Sequence, residues 1–272
     1  MTLLVTGATG NVGRNVVDQL LAAGHRVRGL SRTPERASLP PEVEVVKGDL
    51  SQPDTLKDAF TDVTGVFLIS MDGTSLLKNG QDIMSLAREA GVQRVVVMSG
   101  DYEDGAFERA VEESGLAWTH LRPMEFMVNA TDWSDSIKEE SVVRSPFGDW
   151  TSAMIHEADI AAVAVTALTE DGHAGKIYTL TGPEALKRRD IVGVIGDAIG
   201  REVRFQELTP DEAREYWRTS VGYPDEVIEW FLEMGADQPE PVRTVLPTVE
   251  QVTGRPARTF AQWAAEHADD FR

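Results

Sequence analysis

The sequence predicts an α/β protein: a doubly wound, parallel sheet followed by a smaller α+β lobe at the carboxyl end. Three observations carry this. The apolar run Leu3-Leu4-Val5 breaks into glycine and is followed at once by the helical spacing Val12, Val16, Val17, Leu20, Leu21. Apolar runs of strand length then alternate with helical segments as far as Leu121, which is the pattern of parallel strands joined by right-handed helical crossovers. Beyond Pro123 the alternation loosens into helices with short strands between them. We place the division at residues 1–150 and 151–272, with some segments of the second part returning to the sheet.

Composition narrows the partners. The chain has 272 residues, 42% of them hydrophobic, enough for a full core. Its formal charge of −19 repels nucleic acid and anionic membrane surfaces, so a small molecule is the expected partner, with the chain a monomer or homodimer. The absence of cysteine excludes disulfides, thiolate nucleophiles and Cys-ligated metals, and the five histidines show no ligand spacing, so no metal is expected. With neither a basic leader nor a long apolar run, the expected compartment is the cytoplasm.

The first turn, Gly7-Ala8-Thr9-Gly10-Asn11-Val12-Gly13, reads as a phosphate cradle. Gly7 lets the chain leave the strand sharply, Gly10 has no side chain to hold a pyrophosphate off the backbone, and Gly13 lets the helix approach the strand. The amides at the helix start and the helix dipole both favour an anion there.

Arg26 to Leu30 reads as the second strand, and the residues just past its end select the nucleotide. A site for NAD usually offers an acid to the ribose hydroxyls, whereas this chain offers Ser31-Arg32-Thr33. Arg32 can fork onto a 2′-phosphate, with Arg36 as a second charge, so NADPH is the expected cofactor; the competing reading is a solvated surface arginine. Val43 to Val46 is the third strand, and Asp49 with Leu50 beyond it suits an adenine pocket; the alternative for Asp49, compatible with the first, is a cap on the helical segment Pro53 to Phe60, a place that Ser51 suits better. Gly65 to Ile69 is a fully apolar fourth strand ending at Ser70, and a helix is expected from Ser75 to Ala90. Arg94 to Met98 ends at Ser99, and Leu116 to Leu121 is a sixth strand broken by Arg122-Pro123. The ligand crevice is expected at the carboxyl ends of these strands.

In the second part, Glu157 to Thr169 reads as a helix and Gly175 to Leu180 as a strand. Asp190 is expected to cap a helix running to Ile199. Val203 to Phe205 reads as a short strand, and Thr209-Pro210 opens an acidic helix. From Pro224 to Met234, Val227, Trp230, Phe231 and Met234 form one apolar face, read as core packing ahead of substrate contact. Gln238 to Pro247 is a linker or crossover, and Phe260 to His267 a final amphipathic helix.

Taken with Ser31-Arg32, Gly48-Asp49-Leu50, Ser114-Gly115-Leu116, Leu121-Arg122-Pro123, Ile155 to Ala161 and Leu180 to Glu184, the glycine turn makes the chain resemble the NmrA-like atypical short-chain dehydrogenases over nearly its whole length. The resemblance implies a Rossmann domain binding NADPH and a small C-terminal substrate lobe. By matching position, Gly7, Thr9, Gly10, Asn11 and Val12 would hold the pyrophosphate, Arg32 the 2′-phosphate, Asp49 and Leu50 the adenine, and Ser70, Ser99 and Pro123 would lie towards the nicotinamide.

The chain also departs from its relatives. Tyr102, Tyr178, Tyr216 and Tyr223 are followed at the fourth position by Ala106, Gly182, Ser220 and Val227, so the Tyr-x-x-x-Lys acid of many short-chain dehydrogenases is missing. The run Asp101 to Glu108 likewise lacks the lysine of isoflavone-type members. Hydride transfer here therefore suits an electron-poor acceptor, such as a quinone or conjugated compound, that needs little help from a protein acid. Tyr102, Glu125 and His156 are the candidate proton donors, and Ser99 is expected to contact cofactor rather than react, no base being visible beside it in sequence. A dinucleotide sensor without turnover and a non-redox enzyme on the same scaffold are the alternatives.

Overall fold

The computed structural model describes residues 1–71, 75–99 and 105–272. In chain order the first elements are β1 (Thr2–Val5), α1 (Asn11–Ala22), β2 (Arg26–Ser31), β3 (Glu44–Lys47), α2 (Lys57–Phe60), β4 (Gly65–Ile69) and α3 (Gly80–Glu89). There follow β5 (Arg94–Met98), α4 (Ala106–Glu112), β6 (Ala117–Pro123), α5 (Ser134–Glu140), β7 (Val142–Ser145), β8 (Thr151–Ser152), α6 (Glu157–Thr169) and β9 (Lys176–Leu180). The last are β10 (Leu186–Lys187), α7 (Arg188–Ile199), β11 (Arg204–Glu207), α8 (Pro210–Tyr216), α9 (Asp225–Ala236), α10 (Glu240–Arg243), α11 (Thr248–Thr253) and α12 (Phe260–Glu266). These elements fall into two compact units.

The first unit comprises Met1–Pro123, Glu157–Leu180 and Thr248–Arg255. Its sheet has the order β3-β2-β1-β4-β5-β6-β9, every neighbouring pair parallel. Because all seven strands run one way, their carboxyl ends share one edge, and the order reverses between β1 and β4, where a doubly wound sheet opens a crevice. Val66, Phe67, Leu68, Val95, Val96 and Val97 are buried because helices cover both faces, which is why these strands read as unbroken apolar runs. Helix α6 is apolar nearly all round and correspondingly buried; it packs on α1, with the Gln19 amide donating to the Ala158 carbonyl at 2.9 Å. Arg28, inside β2, is also buried, its guanidinium donating to the Ala59 carbonyl (3.1 Å) and pairing with Glu44 (2.8 Å).

The second unit comprises Met124–His156, Thr181–Pro247 and Pro256–Arg272. Strands β7 and β11 pair in parallel and β8 and β10 pair antiparallel. Its main core gathers Ile137, Val143, Ile191, Ile195, Phe260 and Trp263. A second, smaller cluster of Leu208, Ala213, Ile228 and Leu232 carries Phe147, Tyr216, Trp217 and Tyr223 on its flank. Among the described residues, no helix is long and apolar enough to cross a membrane.

Four local expectations are corrected. Helix α3 starts at Gly80 rather than Ser75, because Leu77 donates its amide back to the Ser70 carbonyl (2.9 Å) and Leu76 bridges to Met71, holding that stretch extended. Arg122 and Pro123 do not break β6; they pair with Thr179 and Leu180 of β9, where the missing proline amide is tolerated at the strand end. Asp190 is not the cap of α7, since the helix already starts at Arg188, and its first amides donate to the carbonyls of Trp150 (2.8 Å) and Gly148 (3.1 Å). The apolar face of α9 is not its packing face. Ile228 and Leu232 are buried, while Trp230 is 54% exposed. By contrast, Thr209 and Glu212 form the capping box that opens α8, and Pro210 occupies its first turn.

Candidate functional site

The glycine turn joins β1 to α1 in the first unit. Gly7 has φ +58°, a left-handed conformation that most side chains resist. Its carbonyl accepts the Gly10 amide at 2.9 Å, which closes the turn, and a Cβ at Gly13 would overlap that same carbonyl. The helix can therefore start this close to the strand only with glycine at position 13. Thr9, Gly10 and Asn11 are exposed, whereas Val12 is buried against the core, so only its backbone can serve a ligand. The start of α1 has no side-chain cap and no acidic residue in its first turn, leaving amides and dipole open to an anion. A diphosphate fits this cradle.

Arg32, just past the end of β2, is exposed, and its guanidinium has no hydrogen-bond or ion-pair partner among the described residues. Asp49 does not cap the helical segment: no side chain caps Pro53–Thr55 or Lys57–Phe60, and the Asp49 carboxylate instead accepts from the Ser51 amide (2.9 Å) and hydroxyl (2.7 Å), an Asx turn that uses part of its acceptor capacity. Leu50 is buried, and its carbonyl accepts from Asn79 at 2.7 Å. Ser70 and Ser99 are buried at the ends of β4 and β5, and Pro123 ends β6 on the same edge.

Strand pairing supplies what sequence spacing hides. The register that sets Val97 beside His120 brings the His120 Nδ1 to 3.3 Å from the Ser99 hydroxyl, so a base does adjoin Ser99. Burial, helped by the positive charge of Arg122, lowers the His120 pKa to about 4. The ring is neutral at pH 7, and its 3.3 Å approach to Glu112, out of line for a hydrogen bond, is not an ion pair.

The second unit holds a cavity of about 700 Å³. Aromatic side chains are prominent in its walls, Trp133, Trp150, Trp217, Tyr223 and Phe231 among them. Phe231 is the hub, with ring centroids 5.7 Å from Trp217, 5.7 Å from Tyr223 and 5.1 Å from Trp230. Such pairs add about 0.5–1.5 kcal/mol each beyond area burial. Phe147 takes a positive φ of 56°, and its ring lies where a side chain on residue 235 would stand, so Gly235 makes room for it. The wall formed by Trp217 to Val221 is π-helical, a local irregularity often found at functional sites.

Charged groups punctuate these walls. Glu125 lines the cavity, and its carboxylate has no side-chain partner among the described residues. Asp132 lines it too, with its pKa raised by burial, and Tyr223 is raised by burial and by the Asp132 charge. Arg188 enters from the start of α7, its guanidinium 5.8 Å above the Trp150 ring, and burial lowers its pKa from the ordinary arginine value. Of the two proton-donor candidates among the described residues, Glu125 is placed on the cavity. His156 is buried elsewhere in the unit, 3.2 Å from Glu266, and Tyr102 lies outside the described residues. Sequence reasoning misses Asp132, Tyr223 and Arg188; the only signal for them is the density of aromatics nearby.

Residues 7–171 match the family model described as NAD(P)H-binding. The chain is 40% identical to a (4-alkanoyl-5-oxo-2,5-dihydrofuran-3-yl)methyl phosphate reductase of Streptomyces griseus, covering 99% of both chains. It is 34% identical to an NAD(P)H azoreductase of Xenophilus azovorans, again over 99% of each. The NADPH complex of an NADPH-dependent quinone oxidoreductase from Escherichia coli shares its fold, with a TM-score of 0.82 and 24% identity over 97% of this chain and 99% of that one. The glycine cradle, the parallel sheet and these likenesses agree: the chain belongs to the NAD(P)H-binding family and is an NAD(P)H-dependent oxidoreductase on a Rossmann scaffold.

Proposed function

We propose that the protein is an NADPH-dependent reductase of a planar, conjugated, electron-poor acceptor, such as a quinone, an azo compound or an acyl-substituted unsaturated lactone. The observation that carries this reading is the aromatic-rich cavity of the second unit, whose clustered rings suit a flat apolar molecule. On this reading the segments of the first unit hold the dinucleotide. Gly7, Thr9, Gly10, Asn11 and Val12 take the pyrophosphate, Arg32 the 2′-phosphate, Asp49 and Leu50 the adenine, and Ser70, Ser99 and Pro123 the nicotinamide end. When bound, the dinucleotide supplies a hydride.

The chain's own residues then have three tasks. The aromatic walls orient the acceptor and exclude water, so the reaction draws on positioning more than on acid catalysis. The Ser99 hydroxyl is held in place by the neutral His120 ring. Protons reach the reduced acceptor from water, Glu125 or Asp132, the last being suited to carry one because burial favours its neutral form. The relatives named as reductases support turnover over a sensor role. The test is steady-state loss of NADPH absorbance with naphthoquinone, an azo dye and an acylated unsaturated lactone. Oxidation by at least one of them is expected, and no oxidation with any removes the reductase reading.

A further inference from the structure

Two arginines line the cavity, and they differ in a way that bears on its ligand. Arg144 is closed off by Glu140, with one guanidinium nitrogen on each carboxylate oxygen. Arg189, one residue along from Arg188, is likewise satisfied by Asp149 and Glu207. Arg188 has no carboxylate within ion-pair distance among the described residues. Glu207 is already used by Arg189 and by the Gly148 amide (2.8 Å), and Glu125 acts on Arg188 only at longer range.

One arm of Arg188 is fixed. Its Nη1 donates to the Pro146 carbonyl (2.8 Å) and the Ser145 hydroxyl (3.3 Å), and the guanidinium lies over the Trp150 ring. Its Nε and Nη2 have no acceptor among the described residues. Neither is among the sealed, unpartnered nitrogens of the described residues, as the Nε atoms of Arg28 and Arg122 are, and Arg188 forms part of the cavity wall. A half-buried cation held in one orientation, with two unused donors and no counter-charge, is costly unless something supplies the charge. Two parallel donors of this kind match the oxygens of an oxyanion.

We propose that Arg188 forms an oxyanion site within the cavity, so that the acceptor bound there carries a phosphate or carboxylate head on its flat apolar body. This rests on the reading of the cavity as the acceptor site. Glu125 and Asp132 share the cavity and would repel an anion; Asp132 does so less because burial favours its protonated form.

Calorimetry on the full chain without nucleotide tests this, using naphthyl phosphate, naphthoate and uncharged naphthol. At least one anion is expected to bind about ten to a hundred times more tightly than naphthol, the phosphate leading if the head is an ester and the carboxylate leading if it is an acid. Arg188→Met should bring the three affinities together. Should that variant not fold, the wild type still decides. Naphthyl phosphate affinity should rise with pH as its second proton leaves near pH ~6, while naphthol binding stays flat. Equal affinities in the wild type, a preference that survives Arg188→Met, or a flat pH response for the phosphate overturns the oxyanion site. If naphthol binds without any preference for the anions, that site alone falls; if none of the three binds, the acceptor reading of the cavity falls with it.

Discussion

The glycine cradle and the aromatic cavity do complementary work but are built in opposite ways. The cradle is backbone: a short turn whose shape is set by where a Cβ is absent, with Gly13 lying against the Gly7 carbonyl. The cavity is side chain: Trp217, Tyr223 and Trp230 lean on Phe231, and Trp133 and Trp150 line the same space. A backbone site should fail sharply when one atom is added. A side-chain site should fail by degrees, as each ring is removed.

The sharpest break of this contrast is Gly13→Ala. The added methyl meets backbone that cannot yield, so the start of α1 must move; we expect a stability loss of about 3 kcal/mol or more and no measurable NADPH uptake by calorimetry. Retained binding would mean the turn is not the cradle. Arg32→Ala comes next, weakening NADPH by about 1–3 kcal/mol and leaving NADH nearly unchanged; equal losses for both would show that Arg32 does not read the phosphate.

In the first unit, His120 offers a pH test of similar size. Its folded pKa lies below the unfolded value of 6.5, so the unfolded chain binds the extra proton. Stability is therefore unaffected above that value, falls as pH drops from 6.5 towards about 4, and levels off below. After allowance for residual screening the loss is about 2 kcal/mol. His120→Gln should flatten that part of a urea-denaturation pH series, and an unchanged slope would contradict a buried neutral ring. Trp217→Ala is the mildest: a rise in acceptor KM worth about 1–2 kcal/mol, with the NADPH dissociation constant unmoved. If NADPH affinity fell as well, the two sites would not be separable.

The same contrast explains what is legible in the sequence. The cradle, helix α6 at Glu157–Thr169 and the Thr209 cap can be read there because each is decided by neighbours within a few residues. The Ser99–His120 contact cannot, since it depends on which residues of β5 and β6 come side by side. Nor can the fate of Trp230 and Phe231. Periodicity marks a face as apolar but does not say what will cover it, and in α9 the neighbouring face of Ile228 and Leu232 takes the core. Arg188 carries no signal of its own, because its meaning lies in the carboxylate it lacks.

The most direct measurement is a single turnover: NADPH bound one to one, then mixed rapidly with naphthoquinone while cofactor absorbance is followed. Full oxidation is expected in the wild type, and in Trp217→Ala a slower approach to the same endpoint. NADPH that binds yet stays reduced with naphthoquinone, azo dye and unsaturated lactone alike would contradict the reductase reading.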